Sequence, residues 1–142
     1  MRAAERAETQ TAHDLQQVLG RLVRRLRAEN TMPLRHATVL GMLERDGPAG
    51  TTELAQRERM RPQSMAETLK ELEADGLIRR SPDPSDGRRV QISLTPRGRE
   101  KVRRNRARRE EWLELAIARE LSAREEETLA RAVELLRRLA DS

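Results

Sequence analysis

The 142-residue chain is long enough for one domain, but 36% hydrophobic against 37% charged residues leaves little for a core closed within one subunit. Basic residues outnumber acidic ones by 29 to 24, and all of them except Lys70 and Lys101 are arginine, which suits phosphates and guanine edges. Because cysteine is absent, disulfides, thiolate metal sites and sulfur-based peroxide sensing are excluded.

Helical periodicity dominates the first third of the chain. Between about residues 5 and 29 the apolar side chains follow the three-and-four spacing of one helix face: Leu15, Val18, Leu19, Leu22, Val23 and Leu26. A second helix is predicted from about Pro33 to Arg45, ended by residues 46–48. Its inner face is predicted to carry Leu34, Ala37, Leu40 and Leu43.

Two short helices joined by a tight turn come next, which is the helix-turn-helix pattern. Thr51 is predicted as the N-cap of the first, which runs to about Glu58. The second begins at Pro62 and ends at Asp75-Gly76. Its buried positions are predicted to be Met65, Leu69 and Leu72, which leaves a polar face of Gln63, Ser64, Glu67, Thr68 and Glu71.

After Gly76 the period changes to that of β-strands. Residues 77–80 are typical of a short strand, and Val90, Ile92 and Leu94 alternate with polar residues in another. The segment 81–89 between them is rich in turn-forming residues and predicts the tip of a hairpin, which is a wing.

Two more helices are predicted to follow. Thr95-Pro96 starts one that extends to about Arg119, and Ser122 with Glu125 predicts a capping box at the start of the other. The last helix carries an apolar stripe at Leu129, Val133, Leu136 and Leu139. The predicted fold is therefore mainly α with a small β-hairpin, a winged helix-turn-helix with N- and C-terminal helices on either side.

The recognition helix and the wing supply the expected DNA contacts. The start of such a helix enters the major groove, where Gln63 is expected to pair with adenine. At the wing, Arg88 and Arg89 are expected to reach a minor groove or the flanking backbone, with Asp86 holding the Arg88 guanidinium. A solvated surface without a ligand is the alternative. The complete set of expected contacts is Arg61, Gln63, Ser64, Glu67, Thr68, Arg79, Arg80, Asp86, Arg88 and Arg89.

Three stretches between Thr51 and Gly98 resemble the MarR family of transcriptional regulators. They are residues 51–55, residues 72–78, and the wing motif Asp86-Gly87-Arg88 with Leu94-Thr95-Pro96-Arg97-Gly98. The resemblance implies a homodimer, with residues 1–30 and 97–142 as a helical dimerisation region and 31–96 as the winged helix-turn-helix DNA-binding domain. It also implies that Arg88 is the wing contact. Glu67 stands where relatives often carry a basic residue, so their base preference does not transfer.

These patterns predict a dimeric, sequence-specific DNA-binding regulator of a pseudo-palindromic duplex site, and the resemblance implies that it is a repressor. The resemblance further implies control by a small-molecule effector that changes the spacing of the two recognition helices. One alternative is an architectural protein that coats DNA with little sequence preference, which the many arginines and the acidic recognition face favour. Another is a protein-interaction module that uses the fold without DNA.

Several classes of function are excluded by the same sequence. A phosphate-binding glycine loop, a nucleophilic cysteine and a metal-ligand cluster are all missing, so no enzyme, cofactor or metal is expected. With Trp112 as the sole aromatic residue, stacking on successive unpaired bases is not expected either. The charged N-terminus and the lack of a long apolar run predict a cytoplasmic protein without a membrane partner.

Overall fold

A computed structural model describes residues 2–142 and contains, over that range, six helices and one two-stranded antiparallel sheet. The elements in chain order are α1 (Arg2–Arg27), α2 (Leu34–Asp46), α3 (Thr51–Arg57), α4 (Pro62–Ala74), β1 (Ile78–Pro82), β2 (Val90–Leu94), α5 (Pro96–Glu120) and α6 (Ala123–Ala140). The predicted fold class, mainly helical with a small hairpin, is confirmed.

The chain packs as two compact units, one that ends at Arg109 and one that runs from Glu110 to Ser142, so that α5 contributes to both. The predicted functional division, with 31–96 as the DNA-binding domain between two dimerisation segments, concerns assembly. It stays a prediction.

The core of the first unit is formed by α2, α3, α4 and the hairpin. Its most completely buried large side chains are Leu40, Leu54, Met65, Leu69, Leu72, Leu77 and Ile92. Each of these contributes about 1.5–3 kcal/mol by leaving water. Residues 65, 69 and 72 are the three positions predicted for the inner face of α4, and that prediction is confirmed.

One residue predicted for the inner face of α2 is placed wrongly. Leu34 is 48% exposed, whereas His36, Val39 and Met42 are buried. The predicted positions follow one another at intervals of three residues. Each interval rotates around the helix by about 300°, which falls about 60° short of a full turn. Leu34 therefore lies on the side of α2 opposite to the core.

The start of α3 also differs from the prediction. Gly50 is the N-cap, and Thr51 is the first helical residue rather than the cap. The extended backbone of Gly50 lets its carbonyl accept the N–H of Leu54 at 3.0 Å, which is the first hydrogen bond of the helix. Helix α4 begins with Pro62 in its first turn and is followed by Gly76 at φ 72°, as the sequence predicts.

The hairpin pairs Ile78 with Leu94 and Pro82 with Val90, so β1 includes two residues that were predicted to belong to the tip. Ala49 adds a short bridge, since its N–H and carbonyl both bond to Ile92 (3.1 and 2.8 Å). Val90 shares its alternation with the buried Ile92 and Leu94 but is 48% exposed, because its pair lies at the wing end, beyond the core.

Within the second unit, α6 begins with the predicted capping box. The Ser122 hydroxyl accepts the N–H of Glu125 at 3.3 Å, and the Glu125 carboxylate accepts the N–H of Ser122 at 2.9 Å. These bonds lower the pKa of Glu125, the backbone bond from Ser122 most strongly. Along the predicted stripe of α6, Leu129 and Leu136 are half-buried, whereas Val133 and Leu139 are exposed.

Candidate nucleic-acid interface

Helix α4 exposes its N-terminal end because its apolar side is fixed in the core. Gln63, Ser64 and Glu67 are exposed, and Arg61 precedes the helix as its N-cap with extended backbone. The predicted contacts from this helix therefore lie at one end of it, with the exception of Thr68. An exposed amide, an exposed hydroxyl and a flanking guanidinium are suited to hydrogen bonds with base edges and phosphates.

Thr68 does not belong to that surface. It is 1% exposed, and its hydroxyl donates to the carbonyl oxygen of Ser64 at 3.0 Å. Because it follows Met65 by three residues and precedes Leu72 by four, the helical repeat places it between them on the buried side. The prediction that Thr68 lies on the exposed face is wrong. A threonine can occupy this position because its hydroxyl is satisfied within the helix.

Glu71 has partners that the sequence analysis missed. Its Oε2 accepts hydrogen bonds from the Arg35 guanidinium, the shorter at 2.8 Å, and lies 2.6 Å from Nε2 of the buried His36. These contacts, the His36 bond first and the Arg35 bond next, hold the pKa of Glu71 below its usual value. The carboxylate thus links α4 to α2, and its charge is compensated. No local signal pointed to this pairing, since the partners lie 35 and 36 residues away.

The wing tip is shaped by Asp83, another residue that the predictions did not include. Its Oδ1 accepts the N–H and the hydroxyl of Ser85 at 2.8 and 2.7 Å, and the N–H of Asp86 at 3.3 Å. These bonds lower the pKa of Asp83, with the Ser85 hydroxyl as the largest cause. An aspartate two residues before a serine is a recognisable turn signal, so a closer inspection of the sequence would have found it.

Asp86 acts on the backbone rather than on its predicted partner. Its Oδ1 accepts the backbone N–H of Arg88 at 3.1 Å, and its Oδ2 lies 3.6 Å from Nε of Arg89. The prediction that Asp86 holds the Arg88 guanidinium is therefore wrong. A short side chain two residues before an amide reaches that amide more easily than the end of a long neighbouring side chain. Both arginines are exposed.

The arginines between Thr51 and Leu94 fall into two groups. In the first, Arg57 pairs with Glu53 and, at 3.5 Å, with Asp46, Arg80 lies 3.3 Å from Glu73, and Arg89 lies 3.6 Å from Asp86. The second group has no acidic partner among residues 2–142 and consists of Arg59, Arg61, Arg79 and Arg88. Only the members of the second group present an uncompensated charge to a ligand.

Farther along, the basic stretch of α5 from Arg97 to Arg109 is compensated only in part. Arg103 and Arg104 share Glu100, and Arg106 pairs with Glu44 of α2. Near that last pair, a cavity of about 420 Å³ lies between α2 and α5. Its walls include the apolar side chains of Met32, Leu40 and Val102 and the charged side chains of Arg45, Arg106 and Arg109.

Two further properties of residues 2–142 bear on function. No cluster of three or more histidine, aspartate or glutamate side chains in that range is arranged to hold a metal ion. The helices in the same range are too polar or too short for any of them to cross a bilayer.

Comparison with known proteins agrees with this geometry. The MarR family model matches residues 32–90. An HTH-type transcriptional regulator of Mycobacterium tuberculosis is 35% identical over 138 residues, which cover 95% of this chain and 96% of that protein. A Pseudomonas aeruginosa protein of known crystal structure is 38% identical to this chain in sequence, and the two structures superpose with a TM-score of 0.85. The match covers 95% of this chain and 96% of that one. A Staphylococcus aureus MepR variant, solved bound to an oligodeoxyribonucleotide, has the same fold at 22% identity and a TM-score of 0.66, covering 90% and 96%.

Proposed function

The chain belongs to the MarR family of transcriptional regulators, which are DNA-binding proteins and not enzymes, and we propose that it acts as a homodimeric, sequence-specific repressor. The observation that carries this proposal is the exposed start of α4 beside arginines that have no acidic partner in the described chain. A dimer would present two such surfaces to the two halves of a pseudo-palindromic site.

In the proposed complex, the start of α4 enters the major groove. Gln63 and Ser64 bond to base edges, Glu67 accepts from cytosine, and Arg61 binds a phosphate. The ion pair of Glu71 with Arg35 supports this arrangement, because the guanidinium offsets the carboxylate charge that would otherwise repel the DNA backbone. The MepR variant that was solved with an oligodeoxyribonucleotide is a neighbour in fold and supports the choice of duplex DNA as the partner.

The strands and the wing would grip the flanking backbone. Arg79, exposed on β1, and Arg88, exposed at the tip, contribute phosphate or minor-groove contacts. Arg89 contributes less because Asp86 lies beside it, and Arg80 has to exchange Glu73 for a phosphate. The role of Asp86 is to set the backbone that carries Arg88.

Dimerisation through residues 1–30 and 97–142 is supported by apolar side chains that each unit leaves in water. Helix α1 exposes Val18, Leu19, Leu22 and Val23, and α6 exposes Val133, Leu135 and Leu139. Covering them at about 25 cal/mol per Å² of apolar area would provide the driving force for association. A partner chain that carries the same two surfaces supplies that cover symmetrically.

The cavity between α2 and α5 is the proposed effector site. Its volume is in the range of small-molecule pockets, and its walls combine apolar side chains with arginines. It joins α2 of the proposed DNA-binding domain to the part of α5 assigned to the dimerisation region. A ligand there would favour one spacing of the two recognition helices over another, which is how binding would relieve repression.

Selection of binding sites from a pool of random duplexes tests the proposal. We expect enrichment of an inverted repeat with half-sites about one helical turn apart, bound at least about 10³-fold more tightly than a scrambled duplex. Sedimentation at micromolar concentration should give a dimer. Equal affinity for selected and scrambled duplexes would support the architectural alternative instead, and no binding to any duplex would contradict both.

A further inference from the structure

The turn between α3 and α4 contains a strained residue. Arg59 has φ 51°, and it is the sole residue other than glycine with a positive φ in the described range 2–142. Its N–H bonds to the carbonyl of Gln56 at 3.2 Å, and the N–H of Met60 bonds to Ala55 at 2.9 Å, so the turn is fixed by its backbone. In this left-handed conformation a side chain with a Cβ lowers the folding equilibrium constant by roughly fivefold or more, a cost that glycine avoids.

No side-chain contact of Arg59 within the described chain offsets that cost. The side chain of Arg59 is exposed and makes no hydrogen bond or ion pair with any of residues 2–142. Arg57, two residues earlier, provides the contrast, because Glu53 and Asp46 both pair with it. The Arg59 guanidinium is therefore free to bind an anion outside the chain.

The position of Arg59 identifies that anion. It lies in the turn that leads into the N-terminal end of α4, three residues before Pro62 and two before Arg61, and that end of α4 is the one proposed to enter the major groove. Phosphates line both edges of that groove, and each one neutralised by an arginine adds affinity that does not depend on sequence.

We propose that Arg59 binds a DNA phosphate, and that the protein retains a strained arginine at a position better suited to glycine because of this contact. The inference rests on the proposed function and adds a contact residue to it. It predicts opposite effects of one substitution, a more stable fold and a weaker complex with DNA. An exposed arginine that served only solubility would not produce the second effect.

Three variants of the full chain test this proposal. Arg59→Gly and Arg59→Asn accept the left-handed backbone but lack the charge, whereas Arg59→Lys keeps both the charge and the strain. Thermal unfolding is measured at one protein concentration, and affinity for a mixed-sequence duplex is measured across a series of salt concentrations. The glycine and asparagine variants should unfold about 2–4 °C higher than the parent.

The same two variants should lose about 0.9 of the salt slope per protomer, or roughly eightfold in affinity per protomer at about 0.1 M salt. Arg59→Lys should match the parent in both measurements. If the parent binds duplex and Arg59→Gly keeps the parent's salt slope, this inference is wrong while the proposed function stands. An unchanged unfolding temperature would also overturn it, because the strain would then be absent. If the parent binds no duplex, both proposals fall.

Discussion

Replacing Gly98 by alanine tests the packing that holds the hairpin against the start of α5. A Cβ at this position would overlap the carbonyl oxygen of Leu77 and stand 3.3 Å from Cδ2 of Leu94. The atom that it overlaps belongs to the backbone and cannot turn aside as the end of a flexible side chain would. Either the helix or the strand must therefore move.

Neither element moves freely, because Thr95 ties them together. Its N–H donates to Leu77 at 3.1 Å, its hydroxyl donates to Gly76 at 2.6 Å, and the same hydroxyl accepts the N–H of Gly98 at 3.0 Å. Overpacking costs about 1–3 kcal/mol, and a rigid obstacle places this site at the upper end. Losing one of the hydrogen bonds adds about 1 kcal/mol, which the better helix propensity of alanine offsets. The free energy of unfolding should fall by about 3 kcal/mol.

Chemical denaturation of the parent and Gly98→Ala at equal protein concentration measures this loss. Gly41→Ala is the matched control, since Gly41 lies inside α2 and an added Cβ there meets no atom within 4 Å. That control should gain about 1 kcal/mol from helix propensity. If Gly98→Ala unfolds within about 1 kcal/mol of the parent, the close approach of α5 to Leu77 does not constrain the fold and our reasoning fails.

Three other predictions concern DNA binding, assembly and acid stability. Arg88→Ala should weaken binding to the selected site by about 1–3 kcal/mol and lower the salt slope by about one unit per protomer. Gln63→Ala should weaken binding to the selected site more than binding to a scrambled duplex and leave the salt slope unchanged. Equal losses on both duplexes for Gln63→Ala would mean that α4 does not read bases. Leu136→Asp should dissociate the dimer or unfold it in sedimentation, because the proposed interface would bury an unpaired carboxylate at this half-buried position, and Ala130→Asp, on the exposed side of α6, is the control. The pKa of Glu71 is lowered in the fold, so its contribution to stability is present above the usual carboxyl value of 4.5 and is lost as the pH falls through the lower folded value. Glu71→Gln should therefore flatten the stability loss on that acid side, and an unchanged acid profile would count against the contact with Arg35 and His36.

The order of elements and the buried side of α4 were predictable because both follow from local periodicity. Met65, Leu69 and Leu72 define a face without any knowledge of the partner, and Ser122 with Glu125 forms its cap within four residues. The same rule, applied fully, places Thr68 on the buried face. The prediction for Thr68 was wrong because it followed the polarity of the residue rather than its position in the helical repeat.

The ion pairs were not predictable in the same way. Glu71 meets Arg35 and His36 because α2 and α4 pack together, and a one-dimensional pattern does not say which charged residues of two helices meet. In the wing, the pairing of Asp86 with Arg89 instead of Arg88 depends on the turn that Asp83 forms. Periodicity predicts which face a side chain occupies, but contacts between elements decide whether its charge is compensated.

That distinction changes what the arginine-rich composition means for DNA affinity. An arginine that already has a carboxylate partner must exchange one anion for another, so Arg57 and Arg80 gain little from a phosphate. The four arginines between Thr51 and Leu94 without an acidic partner in residues 2–142 release counterions in full: Arg59, Arg61, Arg79 and Arg88. At about 0.9 per neutralised phosphate, they predict a salt slope of about 3.6 per protomer, roughly 7 for a dimer, on a mixed-sequence duplex. A measured slope near twice that value would mean that further basic residues, either the paired arginines or Arg97 and Arg99 of α5, also bind phosphates, and four contacts per protomer would then be too few.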